Sequence, residues 1–571
     1  MARWRILEPD EGAVSRLREA MPEAGPLCAR VLANRDIPPE TAPAFLSPSL
    51  SEVTPPEGEV WEAAAGRLAR AIEGGERIAV FGDYDTDGIT SAALLYTAIS
   101  GYTDNVLYKL PTRQVGYSLL EPYVRDLFSA GVDLLVTADC GISNRAEVEL
   151  AASLGMDVIV TDHHLPPEDP PESPPAVAVL DPKLWDLDDP LAGVGVAWKL
   201  AWALSRRLGD PDGRRKIGRL LDLVSIGTIV DIAPLTGDNR ALASAGLKYL
   251  NGGLSSGGAR PGIAALVKAA GVRGGLDEQD LGWRLGPRIN SIGRIKNPGP
   301  ALELLLTDDR REAARIADEL NYLNGERQKR TRRAVEAAME EVDPEQDFKV
   351  VVSEEVGGLA GLVAGRVAGA TGRPAAVLGR RVDGGYGGSA RAGETDVDLH
   401  GAIHSVRHLL GHWGGHRKAA GLSIEPGNFD AFVEGVNRAV RDQHAEDPDI
   451  FEPPIEVDAE VTLAEVSNGL LDWHERLAPF GSGNHRPVFI SRGLRVEGSR
   501  QLWEGMNLVR LRQEDQRIEG GESDENGGET VSARLACSPE AIPGDGFDAV
   551  YTVARSRYSG EVELEILDWK G

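Results

Sequence analysis

The stretch Arg77–Gly88, RIAVFGDYDTDG, carries the reading of this chain. Its first half is an apolar run with β-branched residues, the pattern of a strand buried on both faces. Its second half turns abruptly acidic, with Asp83, Asp85 and Asp87 at alternate positions. Two further runs repeat the pattern: Asp133–Ala138 (DLLVTA) leads into Asp139, and Asp157–Thr161 (DVIVT) leads into Asp162, His163 and His164. Helical stretches at Thr90–Ser100 and Arg145–Leu154 separate these runs. Strands alternating with helices predict an α/β fold built on a parallel, doubly wound sheet. Ligands of such sheets bind beyond the carboxyl ends of the strands, so the acids and histidines are expected to converge there.

On an extended backbone, alternate side chains point the same way, which would aim all three aspartates of GDYDTDG at one spot. Like charges gathered so closely repel one another unless a cation sits between them. Each cluster has a bland reading when taken alone. An aspartate-rich turn is common at surfaces, Asp139 could cap a helix, and adjacent loop histidines often bind nothing. The conjunction of the three clusters, each after its own strand, points instead to a two-metal carboxylate–histidine centre. EF-hand spacing is excluded, because no glutamate stands at the twelfth loop position. Two divalent ions about 3.5–4 Å apart suit phosphoester hydrolysis, and Asp139 is the natural candidate to bridge them. Mixed imidazole and carboxylate ligation favours manganese, with magnesium an acceptable substitute.

The 571 residues correspond to several domains, and 42% hydrophobic with 26% charged residues is the composition of a folded chain. A net charge of −28 argues against coating DNA by bulk attraction but leaves room for a locally basic groove. The three cysteines form no CxxC pair, no secretory h-region is visible and no run suffices for a membrane span, so a cytoplasmic protein is expected. The proline-dense segment 163–176 reads as a loop leaving the crevice. Leu220–Leu235 is a further apolar segment carrying Asp231 near its end. From about Asp308 to Val342 the spacing predicts one long helix bearing a basic cluster, Arg327 to Arg333. A second α/β unit follows to about residue 445, then an acidic linker, Glu446–Pro454. Strand-like runs from Ile455 to Trp569 suggest a small β-barrel such as an OB-fold, interrupted by the acidic segment Glu514–Glu529.

These motifs are specific enough to carry a resemblance. GDYDTDGITS, TADCG, VTDHH and SIGTIVDIAPL (225–235) resemble the successive motifs of the DHH phosphoesterase superfamily. LPTRQVGYSL (110–119), LAGVGVAWKL (191–200), LGPRINSIGR (285–294), LNGERQ (323–328), GGSARA (387–392), GGHRKAAGLS (414–423) and PFGSGN (479–484) resemble its RecJ branch over nearly the whole chain. The resemblance implies a metal-dependent exonuclease that degrades single-stranded DNA from the 5′ end, in DNA repair and recombination. It implies one metal held by Asp85 and Asp139 with Asp83, and a second held by Asp87, Asp139, His163 and Asp231. His164 would face the scissile phosphate. The implied domains are residues 1–306 (an N-terminal segment and the DHH domain), a connecting long helix at 307–345, a DHHA1 domain at 346–446, and an OB-fold at 452–571. Single-strand-binding protein and a RecQ-type helicase are the implied protein partners. The chain departs from the family pattern at Trp413, at Asn507, in GGLAGLVAGR (357–366) and in the acidic 514–529 segment, all outside the metal set.

The resemblance also selects the residues expected to touch the strand: Arg113, Arg288, Asn290, Ser389, Arg391 and His416, with His164. Arginine's planar fork suits phosphate, and Gly-rich loops let backbone amides approach it. Surface ion pairing is the competing explanation in a chain with 89 acidic residues. Two other functions share parts of the pattern. A small-substrate DHH phosphoesterase would keep the metal residues but seldom needs a third, β-rich domain. A non-catalytic scaffold would keep the fold and lose metal ligands, whereas every expected ligand is present here.

Overall fold

The computed structural model describes residues 3–112, 118–167, 173–186, 189–354, 356–503, 505–513, 530–544, 546–556 and 559–571. The chain divides into two compact units, one formed by residues 41–325 with 475–486, the other by residues 1–40, 326–474 and 487–571.

The unit holding the acid motifs is built on a five-stranded sheet, ordered Val106–Lys109, Ile78–Gly82, Leu134–Ala138, Asp157–Thr161, Ala178–Leu180, with every pair parallel. Alternate residues serve opposite faces. Ile78, Val80, Leu134, Val136 and Ile159 enter one core, while Ala79, Phe81, Leu135, Val158 and Val160 enter another. The strand order reverses direction between Ile78–Gly82 and Leu134–Ala138, which makes their carboxyl ends the topological switch point. The predicted helix at Thr90–Ser100 begins four residues earlier, at Thr86, inside the acid motif itself. Asp85 is its N-cap, accepting a hydrogen bond from Gly88 N at 3.1 Å. The expectation of three aspartates on extended backbone is therefore corrected, since Asp87 lies in the first helical turn. The capping preference of aspartate outweighs the alternation.

The apolar segment ending at Asp231 is the helix Leu221–Val230, and the long helix runs Arg310–Glu340. In the other unit, a mixed sheet is ordered Leu410–His416, Ala419–Ile424, Tyr386–Arg391, Ala375–Arg380, Lys349–Val352. Five further strands, Phe489–Trp503, Met506–Gln513, Thr530–Leu535, Val562–Lys570 and Phe547–Arg555, close into a barrel through pairing of the first with the last. Two connections differ from the sequence reading. The stretch expected to be a linker buries Ile450 and Phe451 in the core beneath the mixed sheet, with the Arg373 guanidinium 3.9 Å above the Phe451 ring. The N-terminal segment adds a parallel strand, Trp4–Ile6, to Ile455–Val457. The acidic segment 514–529 lies outside the described residues.

Candidate metal centre

Three strand ends and one helix end supply the acid–histidine cluster. Asp83 follows the strand Ile78–Gly82, Asp139 follows Leu134–Ala138, His163 follows Asp157–Thr161, and Asp231 ends the helix Leu221–Val230. Backbone hydrogen bonds tie these ends together: Asp83 N donates to Ala138 O at 3.1 Å and Asp139 N to Thr161 O at 2.9 Å. Asp139 has φ 62°, a left-handed conformation that aspartate tolerates better than most residues. His163 Nε2 lies 3.2 Å from Asp139 Oδ1 and 3.8 Å from both Asp87 Oδ2 and Asp231 Oδ2. Donor atoms of Asp87, His163 and Asp231 fall within 4.8 Å of one another, and so do those of Asp83, Asp85 and Asp139. A third such group joins Asp139, His163 and His164.

The electrostatics match a donor set for cations. Burial, and then the neighbouring Asp85 charge, push the carboxyls of Asp83 and Asp87 up to about 7. Burial followed by Asp87 and Asp85 raises Asp139 and Asp231 well above the usual carboxylate range. Among the described residues, the buried Oδ1 atoms of Asp83 and Asp139 accept no hydrogen bond. Buried acceptors in that state call for a partner. Divalent cations would meet that need and discharge the crowding, so the residues fit the metal ions that the sequence implies.

Glycines make the crowding possible. A Cβ at position 193 would lie 2.6 Å from Asp139 Oδ1 and 2.9 Å from Asp87 Oδ2, and one at position 227 would lie 2.7 Å from Asp87 Oδ1. Gly193 opens the helix Gly193–Arg207, whose first amides grip Asp87: Gly193 N donates to Oδ2 at 2.8 Å and Val194 N to Oδ1 at 3.0 Å. The positive end of that helix favours the ionised carboxylate. In the sequence Gly193 carries no assigned role; a glycine at the start of a helical run, after the apolar Leu191 and Ala192, is the signal on offer.

Asp162 is a second residue without an assigned role in the sequence reading. It is buried, and its Oδ1 lies 2.7 Å from His164 Nδ1 while accepting from the amides of His163 and His164. Its Oδ2 accepts from Ile142 N at 2.9 Å. Against the upward push of burial, the His164 ring and these donors hold Asp162 well below the usual carboxylate range. In turn Asp162, working against burial, raises His164 well above the ordinary imidazole range. Asp162 thus fixes the His164 ring through Nδ1, and the side chain is about half exposed.

The other expected contacts fall in several places. Asn290 Oδ1 accepts from both Thr86 N and Thr86 Oγ1 at 2.8 Å, so this residue braces the acid loop. Arg288 Nε donates to Asn321 Oδ1 at 3.0 Å, and its Nη1 donates to Arg284 O at 2.6 Å. Ser389, Arg391 and His416 belong to the other unit. There Arg391 and His416 flank Ala419 from adjacent strands, and Ser389 pairs with Gly421. The pleat sets all three on one face of the mixed sheet. Arg113 lies outside the described residues.

Comparison with known proteins agrees with this geometry. Residues 77–228 match the DHH family N-terminal domain, residues 348–442 the DHHA1 domain, and residues 457–567 the RecJ OB domain. Fold and site together therefore define a protein of the DHH class. A Thermus thermophilus protein named single-stranded-DNA-specific exonuclease RecJ is 34% identical over 516 residues, covering 89% of this chain and 72% of that one. The Bacillus subtilis protein of the same name is 33% identical, with 89% of this chain matching 64% of its length, so the chain spans just under two thirds of that relative. A crystal structure of Thermus thermophilus RecJ in complex with Mn2+ superposes with a TM-score of 0.81 at 29% identity, covering 100% of this chain and 79% of that chain. Its counterpart with Mg2+ superposes with a TM-score of 0.75. The chain belongs to the RecJ family.

Proposed function

We propose that this protein is a metal-dependent exonuclease that degrades single-stranded DNA from its 5′ end to mononucleotides, in DNA repair and recombination in the cytoplasm. The observation that carries the reading is the convergence of two donor groups, Asp83 with Asp85 and Asp139, and Asp87 with His163 and Asp231, linked by a third that joins Asp139, His163 and His164. In this reading Asp83, Asp85 and Asp139 would hold one divalent ion, and Asp87, Asp139, His163 and Asp231 would hold the other. Bound manganese or magnesium would supply a hydroxide nucleophile at neutral pH and neutralise charge on the phosphoryl oxygens.

The chain's own residues do the rest. Gly193 N and Val194 N orient the Asp87 carboxylate. Asp162 holds the His164 ring so that its outer nitrogen donates to the phosphate that is cut. Arg288, with Ser389, Arg391, His416 and Arg113, steadies the backbone of the strand, and Asn290 holds the acid loop in register. Contacts made chiefly to phosphate make the enzyme tolerant of sequence. Single-strand-binding protein and a RecQ-type helicase are the partners we expect it to work with. Among the described residues, no helix is long and apolar enough to cross a membrane.

The test is a digestion series on long strands labelled at either end, alongside duplexes, with Mn2+ or Mg2+. Immediate release of labelled mononucleotide from the 5′-labelled strand, with the 3′ label retained until last, is expected. Activity confined to dinucleotides or other small phosphoesters would replace this reading with the small-substrate one.

A further inference from the structure

The helix Gly286–Ile295 is entered through a π-helical turn, Asp280–Leu285. Such turns are rare and concentrate at functional sites. Within it, Trp283 is 80% exposed, the most exposed aromatic side chain among the described residues. The segment's buried stripe, Leu285, Ile289 and Ile292, faces the core. The opposite stripe carries Trp283, Pro287 and Asn290 at helical spacing. That stripe ends at the metal centre, because Asn290 holds Thr86, which lies between Asp85 and Asp87. A Cβ at Gly293 would sit 2.9 Å from Tyr84 O, so the helix packs directly on the acid loop.

Asn290 lies seven positions beyond Trp283, about 10 Å along a helix axis. This is a reach of very few nucleotides. Two arginines lie close by in sequence: Arg284 follows the indole, its Nε 3.4 Å from the buried Asp280 carboxylate, and Arg288 lies one turn beyond Arg284, bonded to Asn321 of the helix Arg310–Glu340. Tyr322, next to Asn321, is itself 67% exposed. An exposed aromatic on the same segment as arginines that suit phosphate is the combination by which single strands are held without reading their sequence.

We propose that Trp283 is a base-stacking residue: it takes one unpaired nucleobase of the strand against its indole face, a few nucleotides from the metal centre. This rests on the nuclease reading above and adds a positioning residue to it. The ligand class is an unpaired nucleobase within a single strand, and a protein surface is the competing occupant.

The test uses the full chain. Binding of a labelled single-stranded oligothymidylate is measured by anisotropy in chelator, and degradation of the same strand is measured with Mn2+. Each is repeated with one abasic residue moved stepwise along the strand. Trp283→Ala should weaken binding and raise KM about tenfold, within the range of base–aromatic stacking, with kcat little changed. Trp283→Phe should recover most of the loss. The wild type should lose affinity when the abasic residue occupies one particular position, and Trp283→Ala should show no further loss there. Unchanged affinity in Trp283→Ala, or an abasic penalty that persists in it, overturns the proposal. A wild type that binds with this signature but degrades nothing would overturn the nuclease reading and leave the stacking site standing.

Discussion

At the scale of single residues, Asp139 concentrates the demands of the site. Its backbone is left-handed, its amide ties two strand ends together, and its Oδ1 lies 3.2 Å from His163 Nε2. Asp139→Ala is expected to lower kcat by more than about a hundredfold, a loss that even groups supporting a metal ligand can reach. Its fold and its affinity for single strands should stay near wild type. Steady-state digestion checks this, and retention of a tenth of wild-type turnover would count against a shared ligand. The crowded carboxyls also set a pH dependence. Asp83 and Asp87 are pushed up to about 7 by burial and Asp85, whereas an unfolded chain titrates them near about 3.9. The folded, metal-free protein therefore holds protons that the unfolded chain lacks between those values. The contribution of these two carboxyls to stability is fully present below about pH 4 and is lost as pH rises through about 7. Melting in chelator should show Tm falling from about pH 5 to about pH 8, and saturating Mn2+ should raise Tm more at the higher pH. Equal metal-induced shifts at both values would contradict this account of the cluster.

Between residues and the whole stand the elements, and here the sequence was legible in some parts and silent in others. Apolar strands ending in acids were readable because burial on both faces leaves no alternation to confuse them, as at Val80 and Val136. The two edge strands went unread: Val106–Lys109 is only partly buried, and Ala178–Leu180 is three residues long. Asp87 was credited to extended backbone because alternation in sequence does not show that Asp85 caps a helix. Long-range ties leave no local signal at all. Arg240 is almost fully buried, with its guanidinium donating to the carbonyls of Phe45, Arg476, Ala478 and Pro479 at 2.8–3.3 Å. Leu235 N donates to Ser482 O at 2.7 Å beside it. Residues 475–486 thereby join the unit of the metal centre, although the chain on either side belongs to the other unit. Arg240→Leu strands several buried carbonyls and should cost about 3 kcal/mol or more. A chemical-denaturation midpoint indistinguishable from wild type would contradict this role.

Taken whole, a net charge of −28 gives the chain no bulk attraction for a polyanion, so the proposed binding of a strand rests on local arrangement. If several phosphates are neutralised by cationic side chains such as Arg288 and Arg391, log affinity should fall with log salt at about −0.7 per phosphate. Anisotropy titrations across a salt series should give a slope steeper than about −2, the value for three such contacts. A flat dependence would mean that the strand is held some other way. The family relationship covers 89% of the chain, and the acid–histidine cluster gives that relationship its chemistry. Everything in the account depends on that cluster gripping a pair of cations. Diffraction from manganese-soaked crystals at the manganese edge tests this most directly. The expected result is two anomalous peaks, one beside Asp83, Asp85 and Asp139 and one beside Asp87, His163 and Asp231, both touching Asp139. A cluster without anomalous signal under saturating manganese would contradict it.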